Sequence, residues 1–414
     1  MTSNDKNIAI VHDFLLSRGG AEFVLENIAG LFPEAPVFTL LARKEQKKAQ
    51  TGEPAWLRDR EVRESFLAKF PGFMQNRHRF LLPFMPTAVE SFDLRDYEWV
   101  ITSSGAFSKG VVVKSYTKHI CYMHSPMRYL WDWSHEYLQD CKLRGKAKLL
   151  TRMYLNYLRM WDRASAQRPD RIIANSQYTA DRIKKYYNRE SEVIYPPVKM
   201  DDLRPSGSHQ GYFLTVSRLV EYKRLDVLID AFDKMGLPLV IVGDGPQKKY
   251  LRKKIARECL RPDKIKIMGW LERKKLVKMY QEARAFVFAS EEDFGIAPAE
   301  AMAAGKPVIA LGKGGALETV KEGFSGEFFD HCQVEIIADA VRRFMEKEKT
   351  YEASDISQSV RKFSSENFRR NLEEYIEEAQ NAKRKSQKSK VKSPTALRGP
   401  AVIKIYKGSG KSHS

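Results

Sequence analysis

Two glutamates stand eight positions apart around a short turn, a spacing that can direct two carboxylates at one ligand. The stretch "ASEEDFGIAPAEAMAAGKPVIA", residues 289–310, has Glu292 in the turn and Glu300 beyond it. The apolar runs on both sides are typical of buried strands, and the Ala-rich part between them predicts one short helix closed by Gly305. The helix dipole favours an acid early in a helix, which is a simpler explanation for Glu300 but not for Glu292.

The start of that helix predicts a phosphate site. Phe294, Gly295 and Ile296 begin the helix, and the first backbone N–H groups of a helix lack partners within it and favour anions. A carboxylate accepts hydrogen bonds from vicinal hydroxyls, so two carboxylates around a phosphate suit two sugar rings. One glutamate is therefore predicted to bind a nucleotide ribose and the other a hexose.

Arg218 and Lys223 predict a site for a diphosphate. In "TVSRLVEYKRLD" they follow a predicted strand and flank the start of a helix. Arginine offers a planar fork of donors and lysine a point charge, and both bind phosphate oxygens. Two solvated surface cations are the alternative.

Two further turns leave predicted strands. Gly19 and Gly20 open a helix after the first strand, where backbone can approach an anionic ligand closely; a merely flexible turn is the alternative. His124 ends the strand "HICYMH". A structural histidine and a substrate contact both remain open there.

The elements that must position these residues form an α/β pattern. Short β-rich runs alternate with helical or polar stretches: "NIAIV", "APVFTL", "EWVITSS", "HICYMH", "RIIANS" and "SEVIY", and then, more regularly, "YFLTVS", "LPLVIVG", "IKIMG", "AFVFAS" and "PVIAL". This alternation predicts two largely parallel, doubly wound sheets covered by helices. Because ligands bind at the carboxyl ends of such strands, two domains that face each other would place the site in a cleft.

Composition predicts the domain boundaries. Residues 1–195 form the first domain, the Pro-, Gly- and Ser-containing stretch 196–210 a linker, and residues 211–352 the second domain. Closing helices are predicted over 353–382, and a basic disordered tail over 383–414.

Taken together, these motifs resemble glycosyltransferase family 4, the retaining sugar-nucleotide transferases of the GT-B fold. The resemblance covers about residues 8–375 and rests on the Glu-x7-Glu stretch followed by "GKGGALETV", and on "SRLVEYKRLD", "IVGDGPQKKYL", "IMGWLERKKLVKMYQEARAFVFAS" and "GGAE". It implies two Rossmann-like domains facing across a cleft. The stretches "VHDFLLSRGGAE", "YMHSPMRYLWD", "ANSQYTADRI" and "VIYPPV" are most similar to the O-antigen mannosyltransferase subgroup, which points to GDP-mannose.

The resemblance implies a catalytic role for four residues. Arg218 and Lys223 would clamp the donor diphosphate and stabilise the charge that develops as the glycosidic bond breaks. Glu292 would bind the hexose hydroxyls, and His124 would donate or accept a hydrogen bond with the transferred sugar.

The resemblance also implies a donor-binding set. The diphosphate would lie over a glycine pair, the ribose on a carboxylate, and the phosphate, sugar and base on backbone groups. These residues are Gly19, Gly20, Gly269, Trp270, Leu271, Phe294, Gly295, Ile296 and Glu300.

The implied reaction moves the hexose to a lipid-linked glycan or polysaccharide precursor, with retention by front-face attack. No metal or other cofactor is expected, because Arg218 and Lys223 would stabilise the leaving group. A UDP-hexose donor, a GT-B sugar-nucleotide epimerase, and a basic-tailed polyanion-binding protein with a degenerate site are the alternatives.

The net charge of +19 is concentrated in two segments. Residues 381–414 hold ten Lys/Arg and no acid, and residues 142–168 hold eight against one acid. Such local charge argues against nucleic acid as a partner along the whole protein. With no secretory signal, no apolar run of about 20 residues and four scattered cysteines, the sequence predicts a reduced cytoplasmic protein. Peripheral attachment to the inner face of the cytoplasmic membrane is the other option.

The basic segment 142–168 predicts an amphipathic helix. Its apolar face, expected to pack on the domain, is Leu150, Met153, Tyr154, Tyr157, Leu158 and Trp161, and the opposite face carries Lys148, Arg152, Arg159 and Arg163. The cationic face would be solvated, or would meet an anionic membrane surface or the pyrophosphate of a lipid-linked acceptor. An aromatic-basic patch from Arg77 to Phe84 would likewise face a bilayer or belong to the core.

Overall fold

The computed structural model describes residues 7–16, 19–42, 55–57, 60–76, 78–134 and 145–391. Residues up to Arg370 form one compact unit, which contains two sheets, and the residues from Asn371 onward form a second unit. All the candidate site residues belong to the first unit.

Within the described residues, seven strands form the first sheet. They are β1 (Ile8–Leu15), β2 (Val37–Ala42), β3 (Val62–Glu64), β4 (Trp99–Ser104), β5 (Lys118–Met123), β6 (Arg171–Ala174) and β7 (Glu192–Val193). All neighbours are parallel, in the order β3-β2-β1-β4-β5-β6-β7. The strand β3 was not predicted, because its three residues, VRE, carry no apolar pattern.

The helices of this half follow the strands along the chain. They are α1 (Gly20–Leu31), α2 (Gly72–Asn76), α3 (Met85–Glu90), α4 (Gly145–Ser165) and α5 (Gln177–Tyr187), with 3-10 helices at Ala55–Leu57, Phe66–Lys69, His78–Phe84 and Ser108–Gly110. Ser176 determines where α5 begins, because its hydroxyl accepts a hydrogen bond from the Thr179 N–H at 3.0 Å and so caps the helix.

Six parallel strands of the described chain form the second sheet. They are β8 (Phe213–Val216), β9 (Leu239–Val242), β10 (Ile265–Gly269), β11 (Ala285–Phe288), β12 (Val308–Leu311) and β13 (Gly326–Phe329). Their order is β10-β9-β8-β11-β12-β13. Strands β9, β11 and β12 are buried throughout, as expected where helices cover both faces of a parallel sheet. Only β13 is an addition to the predicted strands.

The helices of this half and of the C-terminal segment complete the described chain. They are α6 (Leu225–Met235), α7 (Lys248–Glu258), α8 (Arg273–Glu282), α9 (Ile296–Ala303), α10 (Ala316–Thr319), α11 (Val334–Lys347), α12 (Ala353–Ser359) and α13 (Ser365–Val391), with 3-10 helices at Glu221–Lys223, Pro262–Lys264, Glu348–Thr350 and Arg361–Phe363.

Both sheets have the same doubly wound order, so the α/β prediction is confirmed. The direction of winding reverses between β1 and β4 in the first sheet and between β8 and β11 in the second. Crevices at such reversals are where open α/β sheets bind ligands. The turns after β1, β8 and β11 carry Gly19, Arg218 and Glu292.

The C-terminal segment is more divided than the closing helices predicted over 353–382. Helix α12 ends at Ser359, a 3-10 turn follows, and the chain returns towards the first sheet, where the Phe368 ring meets Tyr122. Helix α13 then continues to Val391, into the tail predicted over 383–414. Lys, Arg and Gln in that stretch are good helix formers, which explains the extension. Residues 392–414 lie outside the described residues.

Helix α4 buries only part of the predicted face. Leu158 and Trp161 are buried as predicted, whereas Leu150, Met153 and Tyr157 are exposed. The other buried residues are Leu155, Asp162 and Ser165. The orientation follows from the one acid of the helix. Asp162 pairs with buried Lys109 at 2.6 Å and accepts hydrogen bonds from Trp131 Nε1 at 2.7 Å and Tyr187 OH at 2.8 Å. A charge this deep requires its partners, so its side of the helix faces inward.

Candidate functional site

The turns that leave β1, β8 and β11 meet in a cavity of about 300 Å³. Seven of the predicted site residues line it: Gly20, His124, Lys223, Glu292, Phe294, Gly295 and Ile296. The two sheets therefore bring together residues that lie up to 276 positions apart in the chain.

Glu292 and Lys223 form an ion pair at the cavity wall. Lys223 Nζ contacts Glu292 Oε1 directly, and the Ser290 hydroxyl donates to the same oxygen at 2.9 Å. The two charged side chains are 20% and 12% exposed, so the pair is mostly shielded from water but still reaches the cavity. An anionic group entering beside Lys223 would meet a cation that is already oriented.

The three consecutive acids 291–293 point in alternating directions. Glu292 forms an isolated parallel bridge with Gly314, so the backbone here is strand-like and successive side chains alternate. Glu292 faces Lys223, whereas Glu291 and Asp293 face the first half of the chain. The sequence interpretation gave roles only to Glu292 and Glu300.

We call residues 291–293 the acidic turn. Asp293 and Glu291 connect it to the half of the chain that contains the first sheet. Asp293 Oδ1 accepts hydrogen bonds from Arg182 Nη1 at 2.6 Å and Ser125 Oγ at 3.2 Å, and lies 3.2 Å from Arg128 Nη2. Tyr178 OH donates to Glu291 Oε1 at 2.5 Å. These contacts fix the position of the turn that presents Glu292, and we name Asp293, Arg128 and Arg182 the interdomain clamp.

The motif "GKGGALETV" supports the same turn from the other side. The Gly315 N–H donates to Glu292 O at 2.9 Å, and a Cβ on Gly315 would lie 2.7 Å from Asp293 O and clash with the Phe294 backbone. Only a residue without a side chain fits this approach. The glycine pair was a visible signal in the sequence, but its partner could not be read from it.

Glu318, from the same motif, caps a helix of the first half. Its two oxygens accept hydrogen bonds from the backbone N–H groups of Gln177 and Tyr178, each at 2.8 Å. These groups lie in the first turn of α5, where a carboxylate is favoured. Glu318 therefore adds a second link between the halves, beside the interdomain clamp.

Two helix N-termini converge on the cavity. Gly20 opens α1 and packs against Ile296, which opens α9, so closely that a methyl on Gly20 would come within 2.5 Å of Ile296 Cδ1. Gly295 holds the N-cap of α9 with φ of +90°, a conformation that glycine adopts without strain. The partial positive charges of both helices favour an anion here.

Glu22, the last residue of the motif "GGAE", was given no role in the sequence interpretation. It lies at the third position of α1, and its carboxylate reaches back to the Gly19 backbone, the arrangement of a capping box. Burial raises the pKa of Glu22 to about 7, against the opposing effects of backbone hydrogen bonds and of the Arg218 charge. The signal was the Glu three residues after the N-cap glycine.

The raised pKa of Glu22 predicts a distinctive pH dependence of stability. The folded protein keeps this proton up to about pH 7, whereas an unfolded glutamate releases it near its ordinary pKa of 4.5. The free energy of unfolding is therefore expected to fall as the pH rises through this window, by on the order of 1–3 kcal/mol. In Glu22→Gln this contribution is absent, so the difference in urea midpoint between wild type and variant should change with pH. A difference that stays constant across the window would contradict the assignment.

His124 lies at the cavity as a neutral imidazole. Burial, and the neighbouring His12, lower its pKa to about 3. Its Nε2 is 2.8 Å from Ser103 Oγ, and its backbone carbonyl accepts from Asn175 Nδ2 at 2.9 Å. A neutral histidine held in this way offers a hydrogen bond without charge.

Both carboxylate oxygens of Glu300 accept hydrogen bonds from other side chains of the protein. Its Oε1 accepts from Arg273 Nη1 at 2.5 Å and its Oε2 from Tyr280 OH at 3.0 Å. Arg273 also binds Asp202 of the predicted linker with two nitrogens, at 2.9 and 2.7 Å. Burial raises the pKa of Glu300, and the Arg273 charge opposes this. A ribose would have to share a carboxylate whose oxygens both have partners.

The other predicted residues do not line the cavity. Arg218 is exposed and follows β8, and Gly19 precedes α1. Gly269 ends β10, and Trp270 and Leu271 follow it, with Trp270 67% exposed. Ser217, beside Arg218, does line the cavity and was not predicted. Its hydroxyl is buried and lacks a hydrogen-bond partner among the described residues.

Comparison with protein families separates the chain into two consecutive segments. Residues 18–202 match the family described as "Glycosyltransferase Family 4", and residues 202–363 match "Glycosyl transferases group 1". Both segments are thus similar to glycosyltransferases, the first to family 4. The two matches meet within the linker predicted between the domains, at residue 202.

Curated relatives that the chain resembles include two mannosyltransferases. The chain is 27% identical over 243 residues to "Alpha-1,3/1,6-mannosyltransferase ALG2" of Mus musculus, a match that covers 50% of this chain and 58% of the relative. It is 31% identical over 197 residues to the "GDP-mannose-dependent alpha-(1-6)-phosphatidylinositol monomannoside mannosyltransferase" of Mycobacterium tuberculosis, covering 41% and 51%. The chain thus spans about half the length of the curated relatives it matches.

Solved structures show the fold of this chain. Anabaena HepE, in complex with UDP and glucose, superposes with a TM-score of 0.65 at 19% identity, covering 90% of this chain and 100% of HepE. With the two doubly wound sheets, this similarity identifies the fold as GT-B.

Two kinds of feature are absent from the described ranges. No group of three His, Cys, Asp or Glu side chains there is placed to hold a metal ion, and no helix there combines the length and apolar composition that a bilayer crossing needs. Independence from metal remains a prediction.

Proposed function

We propose that this chain is a retaining glycosyltransferase of family 4 that moves a hexose from a nucleoside diphosphate donor. One observation carries the proposal: Lys223, Glu292 and the N-terminus of α9 line the same cavity. A cation and free amides suit a diphosphate, and the adjacent carboxylate suits the hydroxyls of a sugar attached to it. A purely structural role would not explain why this ion pair faces an open cavity.

The donor would be held along the cavity wall. The diphosphate would lie between Lys223 and the first backbone N–H groups of α9. The exposed Arg218 would contact it from the solvent side. The hexose would then reach Glu292 and the neutral His124. The unpartnered Ser217 hydroxyl adds a donor for a phosphate or sugar oxygen.

The chemistry would follow from charge development on the leaving group. As the bond from the anomeric carbon to the phosphate oxygen breaks, negative charge grows on the diphosphate beside oriented cations and amides. The acceptor hydroxyl oxygen forms the new bond on the same face, and its proton passes to the departing phosphate oxygen. Glu292 acts as a hydrogen-bond acceptor, because Lys223 already compensates its charge and the Ser290 hydroxyl donates to it.

GDP-mannose is the proposed donor, and a lipid-linked glycan or polysaccharide precursor the proposed acceptor. The names of the mouse and mycobacterial relatives support mannosyl transfer, and that of the mycobacterial protein supports an acceptor with a lipid portion. A UDP-hexose is the second candidate, because HepE binds UDP and glucose on the same fold. The resemblance to O-antigen mannosyltransferases remains part of the proposal.

Calorimetric titration with GDP, UDP and ADP, without added metal, tests the donor. GDP is expected to bind at least about tenfold more tightly than UDP, a difference of about 1.4 kcal/mol, and a chelator should leave its affinity unchanged. A preference for UDP would keep sugar transfer and replace the donor. If none of the three bound, the proposed function would be wrong.

A further inference from the structure

Helix α4 exposes an apolar stripe to solvent. Its members are all more than half exposed: Leu149, Leu150, Met153, Tyr157 and Met160. At 100° per residue they fall within one sector of about 100°, on the side away from the buried Leu158. Scattered exposed apolar residues are ordinary, but a contiguous stripe of this kind marks an interaction surface.

A second element extends the stripe. Tyr154 lies at its edge, and the Tyr154 hydroxyl donates to Leu82 O at 2.8 Å, which places the 3-10 helix His78–Phe84 alongside α4. From this element Phe80 and Phe84 are exposed by 61% and 44%. We name the stripe with these two rings the apolar face. It contains part of the patch that the sequence singled out between Arg77 and Phe84.

Cations border the apolar face. Lys146 and Arg152 are exposed on the first turns of α4, and Arg163 on its last turn. By helical geometry Arg152 and Arg163 lie along the edge of the stripe opposite to Tyr154, and Lys146 lies within it. The single acid of α4, Asp162, is fully buried and already paired with Lys109. The solvent-facing side of the helix thus carries apolar and positive groups without a negative one.

We propose that the apolar face lies on the surface of an anionic lipid bilayer. The apolar side chains would enter the boundary between headgroups and acyl chains, while the bordering cations meet lipid phosphates. Charge argues against the other occupants. A second copy of the chain would bring the same cations to the contact, and the segment 381–414 has ten cations and no acid.

The surface differs from the face that the sequence suggested for a membrane. For α4, the sequence-based prediction placed the apolar residues in the core and only the cations at the lipid. The structure puts both at the surface, which gives insertion as well as attraction. Membrane attachment of this kind does not depend on which sugar is transferred, so it stands apart from the proposed function.

Sedimentation of the full chain with lipid vesicles tests the proposal. Binding is expected to vesicles of phosphatidylcholine with phosphatidylglycerol, to be much weaker with phosphatidylcholine alone, and to decrease with added salt. Arg152→Gln and Lys146→Gln should each lower the partition coefficient about fivefold. Leu150→Ser and Met153→Ser should each lower it roughly tenfold.

Matched controls separate this face from the rest of the surface. Leu260→Ser removes a side chain that is 82% exposed elsewhere, and Lys249→Gln removes an exposed cation of α7. Both should bind vesicles as the wild type does. Binding of GDP or UDP by calorimetry should be unchanged in every variant, which shows that the donor side is intact.

Three results would overturn the proposal. The first is no binding of the wild type to anionic vesicles. The second is binding that the variants of α4 do not alter, which would assign it to another part of the chain. The third is self-association in sedimentation velocity that Leu150→Ser abolishes without any vesicle binding, which would make the apolar face a contact between copies.

Discussion

Glu292→Gln is expected to lower kcat by on the order of 10²-fold while tightening the binding of the free nucleoside diphosphate. The loss of turnover follows from removing the charged acceptor for the sugar hydroxyls. The gain in affinity follows from the ion pair, because Glu292 holds Lys223 in the absence of a ligand. Releasing Lys223 should improve GDP or UDP affinity by about fivefold, the equivalent of roughly 1 kcal/mol.

Steady-state turnover and calorimetry measure these two opposite effects on one variant. Lys223→Met is the complementary change, and it should weaken nucleotide binding. Glu221→Gln is the matched control, since it removes an exposed acid of the same 3-10 helix as Lys223. An unchanged kcat in Glu292→Gln would show that Glu292 does not bind the transferred sugar.

Arg182→Met is expected to destabilise the protein by about 3 kcal/mol. Arg182 is 6% exposed and binds both Asp293 and Asp132, so its loss leaves two partly buried carboxylates with fewer donors. The acidic turn also loses part of the interdomain clamp, so kcat should fall along with stability. Urea unfolding and turnover at a temperature below the transition measure the two effects.

Lys184→Met provides the control on the same helix. Lys184 pairs with Glu190 at the surface, with side chains 55% and 82% exposed, so its loss should change stability by less than about 0.5 kcal/mol. Equal effects of the two variants would mean that the interdomain clamp contributes no more than a surface ion pair.

Local patterns explain what could be predicted from the sequence. Apolar runs located eleven of the thirteen described strands, because buried parallel strands have a strong local signal. Glu292, Lys223 and the start of α9 were identified from their positions at strand ends, and the structure places them in one cavity. Each of these inferences needs only a few neighbouring residues.

What the sequence could not show depends on distant partners. Asp293 and Arg182 are 111 positions apart, and nothing in either segment names the other. Glu318 is an ordinary acid of a short helix in the sequence, and only the fold brings the first turn of α5 within reach of its carboxylate. The buried face of α4 was ambiguous because apolar residues surround most of the helix, and a buried ion pair with Lys109 decides between its sides.

The alternation of Glu291, Glu292 and Asp293 has a consequence for how this segment can vary in length. Neighbouring acids serve opposite sides of the backbone, so inserting or deleting one residue would exchange their directions. The carboxylate that now pairs with Lys223 would then face Arg182, and the carboxylate that now pairs with Arg182 would face the cavity. A change of side chain within 291–293 would affect one contact, whereas a change of length would misdirect all three at once.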